Sequence, residues 1–194
     1  MFNFDPDTHT FTIDGQRVPS ITQVLKAEGF IESGPWFDQW SLDRGSAVHL
    51  ACHLDDMDDL AEESIDPVIM PYLEAWREFR RISGIVIEGS EVPMVNESSM
   101  FGGIPDRWGW IGNARVVIDL KSGPCAPWVG LQTAAQSLLI DPTAHFKRFG
   151  LTLKGGKPKI TEFTERTDRG VFLAALCTYN WKRNNIKGYL NESN

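Results

Sequence analysis

The segment Ala114–Lys121, ARVVIDLK, constrains the fold more than any other stretch of the chain. Val116, Val117, Ile118 and Leu120 crowd a short run with β-branched and apolar residues, the mark of a strand packed on at least one face. Two charges nevertheless end it. Side chains alternate faces along a strand, so Asp119 and Lys121 point the same way while Leu120 points into the opposite layer. An exposed Asp-x-Lys is usually a cross-strand ion pair. Charge in a buried strand, by contrast, is costly unless it is paired or coordinated. Another carboxylate, Asp106, precedes at the end of a Gly-Gly-Ile-Pro approach. Two carboxylates and an ammonium facing one spot describe a divalent-metal phosphodiester site, with acids for the cation and a lysine beside the attacking water.

The order of these residues resembles the PD-(D/E)XK nuclease superfamily, Pro105-Asp106 and Asp119-Leu120-Lys121 matching the residues that name it. Upstream, Arg44-Gly45-Ser46-Ala47-Val48-His49 is similar to the glycine-to-histidine helix motif of the RecB-like and phage-exonuclease branch. Downstream, Gln132 opens a helix, LQTAAQSLLI, where that branch often carries Gln followed four residues on by Tyr; here Gln136 stands at the later position. Glu91 matches a frequent acidic position, and FDPDTHTFTIDGQRVPSITQVL resembles the N-terminal hairpin and helix of phage-type members. The resemblance implies one restriction-endonuclease-like domain over residues 1–194, with 1–40 the N-terminal hairpin and helix and 41–194 the nuclease core. It also implies that the helix bearing His49 packs over the sheet edge and delivers an imidazole to the metal.

At 194 residues the chain suits one well-filled domain, and 42% hydrophobic with 23% charged residues is ordinary for a globular protein. It contains no apolar run long enough for a membrane span, and no basic N-terminal stretch leads into an apolar one, so a cytoplasmic protein without a membrane partner is expected. Cys52, Cys125 and Cys177 lie far apart with no C-x-x-C pair, which suits a reducing compartment and offers no zinc or iron–sulfur quartet. The net charge of −7 divides unevenly: residues 1–120 hold 8 Lys and Arg against 21 Asp and Glu, residues 121–194 hold 11 against 5. Such asymmetry can make a phosphate-attracting surface on an acidic protein.

Periodicity predicts an α/β fold, a central mixed sheet flanked by helices. A hairpin over residues 2–18 turns at Asp14-Gly15, and Ser20 caps a helix ending near Gly29. Asp43 caps a second helix to about Leu54, on which Val48, Ala51 and Cys52 face the core and Gly45, His49 and His53 share another side. The acidic stretch 55–66 reads as a solvated connection and the most mobile part. A helix over residues 67–83 buries Ile69, Leu73, Trp76 and Phe79. Strands are expected at 85–95, 100–110 and 114–121, the last two joined at Ile111-Gly112-Asn113. A helix over 128–140 and a hairpin, 145–154 with 157–165, follow. The last helix, from Thr167 or Asp168, buries Val171, Phe172, Ala175 and Tyr179.

A hard cation such as Mg²⁺ takes oxygen ligands and keeps several waters, so Asp106, Asp119 and the Leu120 backbone carbonyl suffice to hold it. His49 adds a nitrogen that shifts preference toward Mn²⁺, and Glu91 is an outer contact. As a general base Lys121 would need its pKa moved from about 10.4 toward about 7, about 5 kcal/mol at roughly 1.36 per unit. Neighbouring carboxylates push the other way, so its expected role is to balance charge on phosphorus or orient water. Gln132 would hold that water or a phosphate, and Arg44, Lys147, Arg148 and Lys154 are candidate substrate contacts. His49 and His53 one turn apart invite a zinc site, but the helix lacks the Glu of H-E-x-x-H and no thiols complement it. The expected activity is a divalent-metal-dependent deoxyribonuclease using Mg²⁺ or Mn²⁺. By resemblance it is an exonuclease on DNA ends in recombination, repair or phage replication, with a recombination or replication protein as candidate partner. The alternative is an inactive nuclease-fold module that binds DNA ends or a partner, motivated by the acidic first half and the missing Tyr. A sequence-specific endonuclease would need a recognition element, and none is evident.

Overall fold

The computed structural model describes residues 1–31 and 38–189. In chain order it has strands β1 (Phe2–Asp5), β2 (Thr10–Ile13) and β3 (Gln16–Val18), then helices α1 (Ile21–Ala27), α2 (Gln39–Asp56) and α3 (Met70–Ser83). Strands β4 (Val86–Ser90), β5 (Met94–Asn96), β6 (Phe101–Gly103), β7 (Arg107–Ile111) and β8 (Ala114–Lys121) follow. Helix α4 (Val129–Ile140), strands β9 (Lys147–Thr152) and β10 (Lys159–Phe163), and helix α5 (Asp168–Asn185) come last among the described residues. The main sheet is five-stranded and mixed, in the order β10-β9-β8-β7-β4, with β8 and β9 parallel and the other pairs antiparallel. This is the expected α/β class.

Local chemistry explains the elements. Ile13 pairs with Gln16 across Asp14 and Gly15, whose φ values of 49° and 78° form the two-residue turn that matches strand twist. The N-terminal hairpin is a three-stranded meander, because the chain also reverses between Asp5 and Thr10, where the Asp5 carboxylate accepts from Asp7 N and Thr8 Oγ1. Ser20 and Gln23 bond reciprocally, a capping box that starts α1. Helix α2 is capped by Asp38, not Asp43: Asp38 accepts from Ser41 N at 2.8 Å, while Asp43 sits in the next turn and takes the Gln39 amide. The first turn of α2 is exposed, so apolar spacing carried no signal there.

Two expected strands are each split. Glu91 adopts φ 54° and Pro93 has no N–H, so 85–95 breaks into β4 and β5. Ile104-Pro105 likewise separates β6 from β7, and β5 pairs with β6 in a small sheet of its own. The start of the expected solvated connection is also corrected, while most of residues 57–66 is exposed as expected. Asp55 and Asp56 belong to α2 and are buried, Asp56 accepting from Trp76 Nε1, Arg80 and Arg107. Val171 is exposed, and α5 buries Phe172, Ala175, Leu176 and Tyr179.

Strand β8 is covered on both faces. Val116, Ile118 and Leu120 pack with Leu151 and Leu153 against α2 and α3, around Leu73, Trp76 and Phe79. Asp119 faces α4 on the other side, where α1, α4 and α5 enclose a second core around Phe101 and Phe172. Gly150, the register partner of Asp119, has no room for a side chain: a Cβ would stand 2.2 Å from Cys125 Sγ. No helix among the described residues is long and apolar enough to cross a membrane.

Candidate metal centre

The site grows out of a fork in the sheet. β7 pairs with β8 only as far as Arg107 opposite Ile118; before Arg107 the chain leaves through Pro105 toward β6, while β8 runs on to Lys121. The backbone of Leu120 therefore faces the opening, and unpaired buried amides are costly. Its N–H donates to Asp106 Oδ2 at 2.6 Å, and its carbonyl oxygen lies 3.1 Å from His49 Nε2. His49 comes from α2, whose Val48, Ala51 and Cys52 anchor that helix in the core and fix the imidazole over the fork.

The other ring nitrogen, His49 Nδ1, lies 3.1 Å from Glu91 Oε1 and 3.6 Å from Asp106 Oδ2. Glu91 is aimed by its left-handed backbone, an uncommon geometry for a residue with a side chain and one that concentrates at functional sites. The donor atoms of His49, Glu91 and Asp106 all lie within 4.8 Å of one another. Asp119 stands beside this trio with different neighbours. The Lys121 ammonium contacts its Oδ2, and Gln136 Nε2 donates to its Oδ1 at 3.2 Å. Lys121 also donates to Gln132 Oε1 at 3.4 Å and lies 5.1 Å from the centre of the Trp128 ring.

Electrostatics follow from burial. Burial alone would lower the His49 pKa, but Asp106, Glu91 and Asp119 outweigh it and raise it to about 9. At neutral pH the ring then carries both protons and donates to the Glu91 carboxylate and the Leu120 carbonyl. Asp106 is pushed up to about 7, first by burial and then by Asp119 and Glu91 against the pull of His49. Burial opposes the charge on Lys121, yet Asp119 and Asp106 raise its pKa, so it stays an ammonium. Glu91 is held below the usual carboxylate range, against its burial, by His49 and Arg107.

The donor set fits a divalent cation. Two carboxylates, a backbone carbonyl and an imidazole converge, the mixture that suits Mg²⁺ and, with the nitrogen, Mn²⁺. Asp106 is 6% exposed and short of positive charge, and among the described residues the buried Oδ2 of Asp119 is met by the Lys121 ammonium alone. Expected as an outer contact, Glu91 sits inside the tightest donor group.

The expected substrate contacts are dispersed. Arg148 is corrected: it is buried and its guanidinium is spent on Asp168, the Gly130 carbonyl and the Glu165 carbonyl. Lys147 is exposed at the far end of β9, opposite Val116. Lys154 is exposed just past Leu153, whose N–H bonds Lys121 O. Arg44 stacks over the exposed Trp40 ring at 4.5 Å, and the adjacent Gly45 packs near Ser122. His53 Nδ1 is bound by Ser90 Oγ at 2.7 Å, away from the donor trio.

Two contributors escaped the reading of the sequence. Arg107, fully buried, donates to Asp56 at 2.6 Å, to Glu91 at 2.8 Å and to the Asp106 carbonyl at 2.8 Å, so it holds both halves of the fork. Gln136, noted only as a departure from Tyr, supports Asp119 from α4, one turn after Gln132. Their available signals were adjacency to Asp106 and the four-residue spacing.

No protein-family model matches the sequence, and no curated protein matches it. Among solved structures the chain is similar to an alkaline exonuclease (LHK-Exo) from Laribacter hongkongensis, at TM-score 0.38 and 14% identity over 87% of this chain and 93% of that one. A second structure, LHK-Exo in complex with dAMP, matches at TM-score 0.37 and 14% identity, covering 88% of this chain and 94% of the other.

Proposed function

We propose that the protein is a divalent-metal-dependent deoxyribonuclease that hydrolyses phosphodiester bonds. The observation that carries this reading is the convergence of His49, Glu91 and Asp106 within 4.8 Å at the open end of β8, next to the Asp119–Lys121 pair. His49, Asp106, Asp119 and the Leu120 carbonyl, with Glu91, would hold Mg²⁺ or Mn²⁺. When bound, such an ion polarises a phosphate oxygen and lowers the pKa of a water in its shell. Lys121, kept protonated by Asp119 and Asp106, balances negative charge growing on phosphorus. Gln132, whose Oε1 already accepts from Lys121 at 3.4 Å, orients that ammonium and a water or phosphate beside it. Gln136 keeps Asp119 from rotating.

The resemblance in sequence to RecB-like and phage-type exonucleases extends this reading to attack at DNA ends, in recombination, repair or phage replication, by a single domain spanning residues 1–194. The test is degradation of end-labelled linear DNA with Mg²⁺ or Mn²⁺, compared with closed circles. Linear DNA should be degraded and circles spared, and Asp119→Ala should degrade neither. If the wild type cuts neither substrate, or Asp119→Ala cuts as well as wild type, the reading falls.

A further inference from the structure

The excess of positive charge in residues 121–194 has a place in the fold. A cleft of about 710 Å³ lies off the end of β9 and β10 that is remote from the fork, between the loops at 141–146 and 164–167. His145, Lys147, Arg166 and Arg169 line it, together with Arg148, Glu162 and Glu165. Much of the opposing charge is already committed. Asp168 pairs with Arg148 at 2.7 Å, and Glu165 turns its carboxylate onto the start of α5, accepting from Thr167 N and Oγ1. Arg169 is pinned by neutral groups, donating to Pro142 O, Ala144 O and Ser137 Oγ. Three of its five N–H groups are used, leaving two for an anion. Burial is the first cause lowering its pKa, with the adjacent Arg148 adding to it and Asp141 opposing. Among the described residues, Lys147 and Arg166 have no ion-pair partner, and Glu162 and Glu165, the latter hydrogen-bonded to Thr167, are the counter-charges in the lining.

The cleft is connected to the metal centre by the edge strand. Lys159, at the other end of β10, pairs with Thr152, which pairs in turn with Lys121 on β8. That places Lys159 two strand spacings, about 10 Å, from the Lys121 backbone. Along β10 to the cleft is about 16 Å, the rise of roughly five nucleotides at about 3.4 Å each.

Resting on the nuclease reading, we propose that β10 and the cleft at its far end form a phosphate-backbone site. It leads nucleic acid away from the metal centre, with Lys159 engaging it near the fork and Lys147, Arg166 and Arg169 at the distal end.

The experiment is fluorescence anisotropy with a labelled 20-base-pair duplex in EDTA, repeated over a salt series, with cleavage by wild type in Mn²⁺ scored separately. Lys147→Ala/Arg166→Ala should reduce the slope of log K against log salt by about 1.8, two contacts at roughly 0.9 each. The control pair Lys26→Ala/Arg81→Ala, equal in charge and placed elsewhere, should leave the slope unchanged. Glu162→Gln should tighten binding about two- to fivefold, a gain that misfolding cannot produce. An unchanged slope in the cleft variant, an equal loss in the control pair, or no binding by wild type overturns the site. Normal cleavage with an unchanged slope sinks the site alone. A reduced slope without any cleavage supports the site and sinks the nuclease reading.

Discussion

Two groups of buried acids lie side by side in this fold and are treated in opposite ways. At the end of α2, Asp55 and Asp56 are met by Arg77, Arg80 and Arg107, permanently charged guanidiniums, and Trp76 Nε1 also donates to Asp56. At the fork, Glu91, Asp106 and Asp119 face a titratable imidazole, one lysine and, at Glu91, one end of Arg107, and Asp106 is pushed up to about 7. The first arrangement is closed in charge and reads as architecture. The second is open to a cation. Arg107 touches both, bonding Asp56 and Glu91, so the closed group holds a ligand of the open one. Burial of acids alone therefore says little about function; the kind of counter-charge supplied to them says more.

The sharpest break between the two groups is in stability. Asp56→Asn removes one charge partner each from buried Arg107 and half-buried Arg80, and about 3–5 kcal/mol of folding free energy should go with it, as for other broken buried pairs. Denaturant unfolding reads this directly. A loss under about 1 kcal/mol would mean that the arginine-bound group is not architectural.

Next in size is activity. Asp106→Asn keeps an acceptor for the Leu120 N–H but removes a metal-binding charge, so cleavage of end-labelled DNA should fall about 10²- to 10³-fold, roughly 2.7–4 kcal/mol. Folding in EDTA should hold or improve, because a buried carboxyl short of positive charge has gone. A variant that loses stability and activity together would place Asp106 with the architectural acids.

Smaller again is the link between them. Lysine keeps the charge at position 107 but lacks the fork that reaches Asp56 and Glu91 at once. Arg107→Lys should weaken Mn²⁺ binding by titration calorimetry about 10- to 100-fold, the order for groups that orient a ligand. Unchanged affinity in a folded variant would show that Glu91 needs no such support.

How much of this was legible in the chain depended on how local the signal was. Asp14-Gly15, the Ser20 cap and the strand ARVVIDLK are written in neighbouring residues, and they appear where expected. The class of sheet followed from them. Asp55 and Asp56 look solvated in the sequence because their partners lie 22–51 residues away, at Arg77, Arg80 and Arg107, and acidity without partners looks like a loop. The breaks at Pro93 and Pro105 were visible as prolines, but alternating apolar residues on both sides outweighed them. His49, Asp106, Asp119, Lys121 and Gln132 were read as candidates in order along the chain; the support from Gln136 and Arg107 arises only when α4 and β7 pack beside β8.

The smallest effect separates the groups by pH. The folded pKa of His49 is raised from 6.5 to about 9, so the stability it contributes is fully present below pH 6.5 and lost as pH rises through about 9. Asp106 is raised from 3.8 to about 7, so the folded state binds more protons than the unfolded one between those values, and stability again falls as pH rises across them. Both signs agree: in EDTA the melting temperature should decline from about pH 5 to pH 9. Divalent cation replaces the protons at these groups, so the stabilisation by Mn²⁺ should be larger at pH 8 than at pH 6. Asp106→Asn should therefore flatten the lower half of the decline, while a wild-type melting temperature that rises from pH 6 to pH 8.5 in EDTA would show that the fork is not short of positive charge.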